Sequence, residues 1–157
     1  MKDYAASWER LLHVLEWVLD VKLRHAEAIP FSMVYISFGD KATLGNRYGA
    51  VVAYQLLVEF ADDLKRALRK SDIIARDGTD FWLMLPHIEG ELIVPKLSRI
   101  VEISAENGLD IVARDISIFA FPDNSFMKQH NLNAPLPFLE YLKNNRVIAK
   151  GWSGETA

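Results

Sequence analysis

The apolar and polar positions along the chain predict alternating helices and strands. Between about Ala5 and Ala26, apolar residues recur at intervals of three and four, which is typical of an amphipathic helix. Trp17 and Val21 widen this stripe beyond one face, as expected of a helix that is well buried on its own domain or that also packs against a partner. The apolar positions at the helical spacing are Trp8, Leu11, Leu12, Leu15, Val18, Leu19 and Leu23.

Beyond Pro30 the pattern becomes that of a strand and then of a second helix. Phe31–Phe38 is short, apolar and rich in residues that favour strands, which predicts a strand buried on both faces. Turn-forming residues predict a loop over Gly39–Arg47. A helix is predicted from Tyr48 to Leu68, with a core stripe made of Val52, Leu56, Phe60 and Leu64.

Two strands follow, Ile73–Arg76 and Phe81–Leu85, around a turn over Asp77–Asp80. Asp77-Gly78 favours a hairpin because both residues tolerate the positive φ angles that a tight turn requires. A third helix is predicted over roughly Gly90–Asn107, and then a strand within Leu109–Phe121 whose core positions are Ile116, Ile118 and Phe119. Beyond Pro122 we predict a loop (Asn124–Pro137), a short helical turn (Phe138–Leu142), an edge strand (Arg146–Ala149) and a mobile tail (Gly151–Ala157).

The order of these elements predicts an α+β fold. Its central βαββαβ unit is the ferredoxin-like arrangement of polymerase palms and nucleotide cyclases, here with an extra N-terminal helix. We expect residues 1–30 to form that helix, packed on a domain of residues 31–150, with 151–157 as the tail. The loop after the first strand and the turn of the hairpin are expected at the same end of the sheet.

Composition narrows the class of protein. The chain has 157 residues, the size of one domain, and is half apolar and one quarter charged. A net charge of −3 does not favour binding to nucleic acid or anionic membranes, and the lack of cysteine excludes disulfides and thiolate chemistry. The four histidines lack the spacing of metal ligands, and no apolar run is long enough for membrane insertion. We therefore expect a cytoplasmic domain.

The segment from Arg69 to Pro86, Arg-Lys-Ser-Asp-Ile-Ile-Ala-Arg-Asp-Gly-Thr-Asp-Phe-Trp-Leu-Met-Leu-Pro, carries a specific resemblance. It resembles the signature hairpin of the bacterial diguanylate cyclase (GGDEF) family. There, Arg-x-x-Asp precedes an apolar strand, a Gly-Gly-(Asp/Glu)-Glu-Phe turn and a strand that ends in Pro. The likeness is collinear from about Phe31 to Phe121, and Tyr48-Gly49 also matches the family pattern.

The resemblance implies that the catalytic centre has degenerated. A cyclase holds two Mg²⁺ ions on the triphosphate with two carboxylates, and those positions fall on Ser37 and Thr79, neither of which is an anion. Asp80 is a single carboxylate beside them. The sequence therefore predicts a domain without a bound metal or cofactor and without cyclase activity.

The substrate-binding positions are also altered. The family residues that bind guanine fall on Gly45 and Tyr54. The paired glycines that let a phosphate approach the backbone become Asp77-Gly78, in a turn that is one residue short. These changes strengthen the prediction that the chain is not an enzyme.

The Arg-x-x-Asp formed by Arg69 and Asp72 is intact, and the resemblance implies an inhibitory-type site for cyclic di-GMP. A guanidinium can bind guanine O6 and N7, and a carboxylate can accept from guanine N1–H and N2–H. Arg99, which lies 18 residues after Phe81, matches a second basic residue of that site. As an alternative, the pattern is short enough to occur by chance, and the pair would then be a surface ion pair contributing about 0–1 kcal/mol.

Two functions follow from the sequence. In the first, an inactive GGDEF-like signalling domain binds cyclic di-GMP through Arg69, Asp72 and Arg99. In the second, a domain of the same fold serves protein interaction or dimerisation without nucleotide, through the wide apolar face of the first helix. Both expect a partner protein or self-association.

Overall fold

A computed structural model describes residues 3–38, 45–46, 48–86, 95, 98–99, 102, 115–146 and 150–151. None of the helices in this part of the chain is long and apolar enough to cross a bilayer. The elements in chain order are α1 (Asp3–Arg24), β1 (Phe31–Ser37), α2 (Ala50–Ala67), β2 (Ile73–Asp77), β3 (Asp80–Pro86), β4 (Asp115–Phe121), α3 (Ser125–Gln129), α4 (Pro135–Asn144) and β5 (Lys150–Gly151).

The strands form one antiparallel sheet in the order β2-β3-β1-β4-β5. The strands β2, β3, β1 and β4 lie side by side in the order and directions of the ferredoxin-like arrangement. This confirms the predicted α+β fold. In the centre, Phe31 of β1 lies opposite Pro86 of β3 and Phe121 of β4, and Ser37 lies opposite Asp80 and Asp115. The register therefore places Ser37 and the hairpin turn at the same end of the sheet.

β1 is buried on both faces, as predicted, because helices cover the sheet on each side. On one face Val34 and Ile36 pack in a core with α2, where the rings of Phe38 and Phe60 meet edge to face with centroids 5.1 Å apart. On the other face Met33 and Tyr35 belong to a second core with α1 and α4. The N-terminal helix is therefore an integral layer of the domain.

The buried stripe of α2 differs from the prediction by about one position. Phe60 and Leu64 are buried as expected, but Val52 is exposed and Leu56 only half-buried. A strict i+4 series advances 40° per step around a helix of 3.6 residues per turn, so it leaves the core face after two steps. The buried positions follow the mixed spacing of four and three instead, at Ala53, Leu57, Phe60, Ala61 and Leu64.

The hairpin turn also differs in detail. Asp77 pairs with Asp80, so the two-residue loop is Gly78-Thr79 and Asp77 ends β2. Of these residues Gly78 alone has a positive φ, of 66°. The prediction that Asp77 and Gly78 both adopt positive φ is therefore wrong, and the pattern is that of a II′ turn, which requires a glycine-like conformation only at its first central residue.

The C-terminal region is more regular than the sequence suggests. The predicted loop Asn124–Pro137 contains α3 and the start of α4, and the helical turn predicted at Phe138–Leu142 is the ten-residue α4. Pro135 and Pro137 lie in the first turn of α4, where a backbone N–H has no intrahelical partner, so they permit the helix rather than break it.

An edge strand is present at Lys150 and Gly151, which pair with Ile118 and Ser117 of β4. Of the predicted edge strand Arg146–Ala149, only Arg146 is described, and it does not lie in a strand. Gly151 therefore belongs to the sheet and not to the tail. The predicted loop over Gly39–Arg47 and the third helix over Gly90–Asn107 lie largely outside the described residues, and residues 109–114, 147–149 and 152–157 lie wholly outside them.

A buried lysine fixes the end of α1 to the end of β4. The side chain of Lys22 is inaccessible to solvent, and its ammonium donates to the carbonyls of Ala26 (3.2 Å), Ala28 (3.1 Å) and Pro122 (3.3 Å). The side-chain amide of Asn124 donates back to the Lys22 carbonyl at 2.8 Å. Burial lowers the pKa of Lys22, so the fold carries a desolvation cost that the three carbonyls offset.

Replacing Lys22 by Met should lower the free energy of unfolding by about 1–3 kcal/mol, because the carbonyls lose a charged donor while the side-chain volume is nearly kept. Urea denaturation measures the change. Arg24→Met is the matched control, since Arg24 is exposed and, among the described residues, pairs with Asp20 alone. Its effect should therefore stay within about 0.5 kcal/mol. Equal stabilities of the two variants would contradict a structural role for Lys22.

Candidate functional site

Asp80 stands at the sheet end where the resemblance places catalytic carboxylates. Its side chain is 15% exposed and pairs with the Lys143 ammonium of α4 at 3.3 Å. The Tyr35 hydroxyl donates a hydrogen bond to the Asp80 carboxylate and also hydrogen-bonds the Ser37 side chain. The guanidinium carbon of Arg146 lies 5.3 Å from the centre of the Tyr35 ring. The carboxylate of Asp80 is therefore held in place by the side chains of Lys143 and Tyr35.

The side chains around Asp80 differ in charge from those of a two-carboxylate metal site. Ser37 and Thr79 supply no carboxylate, and the ammonium of Lys143 occupies the neighbourhood of Asp80 with a charge of the same sign as the metal. Among the described residues no group of three or more His, Cys, Asp or Glu could hold a metal ion.

Of the two positions that the resemblance assigns to guanine binding, Gly45 and Tyr54, the second lies on α2, on the other face of the sheet. Tyr54 of α2 is partly exposed, and its ring lies 5.3 Å from the guanidinium carbon of Arg76. Arg76 also donates through Nε to the Gly78 carbonyl at 2.6 Å, while Asp77 is exposed. The carbonyl of Gly45 accepts from Gly49 N–H at 2.7 Å, and the space beside Gly45 is open for at least 4 Å.

Arg69 and Asp72 form a closed corner between α2 and β2. One Asp72 oxygen accepts from the Arg69 backbone N–H at 2.9 Å, and the other accepts from the Arg69 guanidinium at 3.1 Å. The same guanidinium nitrogen donates to the Pro86 carbonyl at 2.9 Å, which ties the corner to the end of β3. The Asp72 side chain is 0% exposed, whereas that of Arg69 is 47% exposed.

Asp72 orients Arg69 in this structure. Its carboxylate is buried and bonded to the Arg69 backbone N–H and guanidinium. The exposed half of the Arg69 side chain faces solvent. A role of the pair in ligand binding stays a prediction.

A surface cavity of about 450 Å³ opens beside this corner, between α1 and the α2–β2 connection. Its size lies within the range of small-molecule sites. Four cationic side chains and one carboxylate lie in its wall, together with an apolar strip. The lining residues are Ser7, Arg10, Lys65, Leu68, Arg69, Lys70, Asp72, Ile73 and Ile74.

Two lining residues could not be predicted from local patterns. Ser7 and Arg10 lie on the polar flank of α1, more than 50 positions before Arg69, and only the packing of α1 against the sheet brings them to the cavity. Arg99 is helical and pairs with Glu102 at 3.1 Å, and it is not among the described residues that line the cavity.

Comparison with known proteins identifies the fold. No family model and no curated protein sequence matches the chain. The diguanylate cyclase SiaD from Pseudomonas aeruginosa, solved with its activator SiaC, matches 87% of the chain with a TM-score of 0.60 and 17% identity. The GGDEF domain of PA1120 (YfiN or TpbB) from the same organism matches 89% of the chain and 86% of its own length, with a TM-score of 0.56 and 17% identity. The chain spans 55% of the SiaD structure, and its fold is that of a GGDEF domain.

The Tyr35–Asp80 contact should be visible in an alkaline titration. Burial, followed by the bond to Asp80, raises the pKa of Tyr35, so one of the five tyrosines should ionise at a higher pH than free tyrosine. Because the folded state then holds its proton longer than the unfolded state, the contribution of Tyr35 to stability is complete below about pH 10 and is lost as the pH rises through its folded-state pKa. Tyrosinate absorbance measures this, and the late component should vanish in Tyr35→Phe. A wild-type curve without a late component would contradict the contact.

Proposed function

We propose that the chain is a catalytically inactive GGDEF-like signalling domain that binds cyclic di-GMP in the cavity beside Arg69. The observation that carries the proposal is the cavity itself. The cavity lies at the corner formed by Arg69 and Asp72 in a GGDEF fold. Its wall carries cationic and apolar residues. The expected setting is bacterial and cytoplasmic.

The chemistry of the wall suits a cyclic dinucleotide. The ligand carries two phosphates, and Arg69, Lys70 and Lys65 offer charged donors for them. The exposed half of the Arg69 guanidinium can also stack on a base or bind the guanine edge. Leu68 is partly buried and offers apolar surface to a base, whereas Ile73 and Ile74 beside it are each only 8% exposed.

Two features support the lack of cyclase activity. The positions of both metal-binding carboxylates hold hydroxyl side chains, Ser37 and Thr79. The nearby Asp80 is neutralised by Lys143 and bonded to Tyr35, so a metal would have to displace an ammonium to reach it. The domain is therefore proposed to sense the nucleotide and not to make it.

Calorimetry with cyclic di-GMP tests the binding proposal. The wild-type protein should bind saturably, and Arg69→Ala should weaken binding about 10- to 100-fold, because charged hydrogen bonds of about 1.5–3 kcal/mol are lost. Arg66→Ala is the matched control, since Arg66 is exposed on the same helix end, pairs with Asp63 and does not line the cavity. Thermal melts of each variant verify the fold, because Arg69→Ala leaves the buried Asp72 with one fewer partner.

Absence of binding by the folded wild-type protein would contradict the ligand-binding part of the proposal. The catalytic part is checked separately, by incubating the protein with GTP and Mg²⁺ or Mn²⁺. No cyclic di-GMP should form, and measurable turnover would show that the domain is an enzyme.

A second candidate function is protein interaction without nucleotide, favoured by a groove of about 510 Å³ between α1 and the start of α4. Leu136 beside it is 57% exposed, and Trp17, one helical turn after the groove residue His13, is 59% exposed. The solved structure of SiaD contains its activator SiaC, and this supports protein interaction as a function of the fold. The remaining groove residues are Glu9, Leu12, Glu16, Ala134, Pro135 and Pro137.

If this face mediates self-association, Trp17→Glu should convert a dimer to a monomer, because burying a new charge at an apolar contact is costly. Light scattering coupled to size exclusion measures the mass, with and without cyclic di-GMP. Val51→Glu is the control, since Val51 is an exposed apolar residue at the start of α2. A wild-type protein that is monomeric at every concentration would contradict the self-association form of this function.

A further inference from the structure

We infer that α1 forms part of the ligand site through Arg10, so that an anionic ligand in the cavity holds the N-terminal half of α1 more firmly against the α2–β2 corner. This inference rests on the proposed function and specifies how that site is regulated. It starts from the cavity wall, which Ser7 and Arg10 of α1 share with Arg69.

The position of Arg10 is determined by the packing of α1. The neighbouring Leu11 is fully buried, and together with Leu15 and Leu19 it anchors α1 in the core under the sheet. α1 packs against β2, and β2 begins at Ile73, immediately after Asp72. Ser7 and Arg10 are three residues apart, so they occupy the same flank of the helix, at the rim of the cavity.

The charges in the wall are unbalanced. Asp72 is bonded to Arg69, and among the described residues Arg10, Lys65 and Lys70 take part in no ion pair. These cations lie on separate parts of the fold, and their like charges repel one another across the gap. A ligand with two phosphates would convert this repulsion into attraction on both sides.

Such a ligand would therefore bridge two parts of the fold. Its contacts with Lys65, Arg69 and Lys70 hold it to the corner, and its contact with Arg10 holds it to α1. Because Trp17 and the groove residues Glu9 and Glu16 also belong to α1, the helix links the cavity to the surface considered for a partner protein. Ligand binding and the seating of α1 are then coupled, and each favours the other.

The test compares cyclic di-GMP binding by the full chain and by variants of α1. Arg10→Ala should weaken binding at least about 10-fold, the effect of losing one charged hydrogen bond, and Arg10→Lys should restore part of the affinity. Arg24→Ala is the matched control, because Arg24 is an exposed arginine of the same helix that does not line the cavity. It should bind as the wild type does.

Hydrogen exchange provides a readout that a purely local role would not change. Saturating ligand should slow amide exchange over residues 7–15 in the wild type, and this protection should be lost in Arg10→Ala at saturation. Two results would overturn the inference while the proposed function stands. One is that Arg10→Ala and the wild type bind with equal affinity. The other is that amide exchange in α1 stays the same when ligand is added. No binding by the wild type would overturn both.

Discussion

The structure depends on one constraint, the burial of β1 on both faces. A strand of this kind must be covered by a helical layer on each side, and it must be paired along both edges, which the antiparallel neighbours β3 and β4 provide. α2 forms one layer, and α1 with α4 forms the other. The buried ammonium of Lys22 then fixes α1 to the exit of β4. The N-terminal helix is thus required by the sheet, and the cavity at its flank is a consequence.

The same hairpin, β2–β3, carries two sites with opposite electrostatics. At its turn, the carboxylate of Asp80 forms an ion pair with Lys143 and accepts a hydrogen bond from Tyr35, while Asp77 opposite it is exposed. At its base, the carboxylate of Asp72 is buried beneath Arg69, and cations from α1 and α2 remain around an open cavity. We propose on these grounds that the turn does not support the metal chemistry of a cyclase and that the base binds an anionic ligand.

The sequence predicts the elements best where the pattern is local. The double-sided burial of β1, the position of the hairpin and the length of α1 all follow from short-range periodicity. The stripe of α2 shifts because side chains follow the 3.6-residue turn, and α4 is longer than predicted because its prolines occupy positions that need no N–H. Short-range patterns do not predict the place of Arg10 in the cavity wall, because it arises from contacts between elements distant in sequence. They do not predict the burial of Asp72 either, because it arises from the closure of the corner with Arg69.

The central claim is that this GGDEF fold binds cyclic di-GMP at the base of the hairpin and not at its turn. A titration of ¹⁵N-labelled protein followed by NMR tests it most directly, because every backbone amide reports separately. The account predicts shifts that saturate for residues 65–74 and 7–10, with little change for residues 76–80. Shifts concentrated at the turn, or none at saturating ligand, would contradict it.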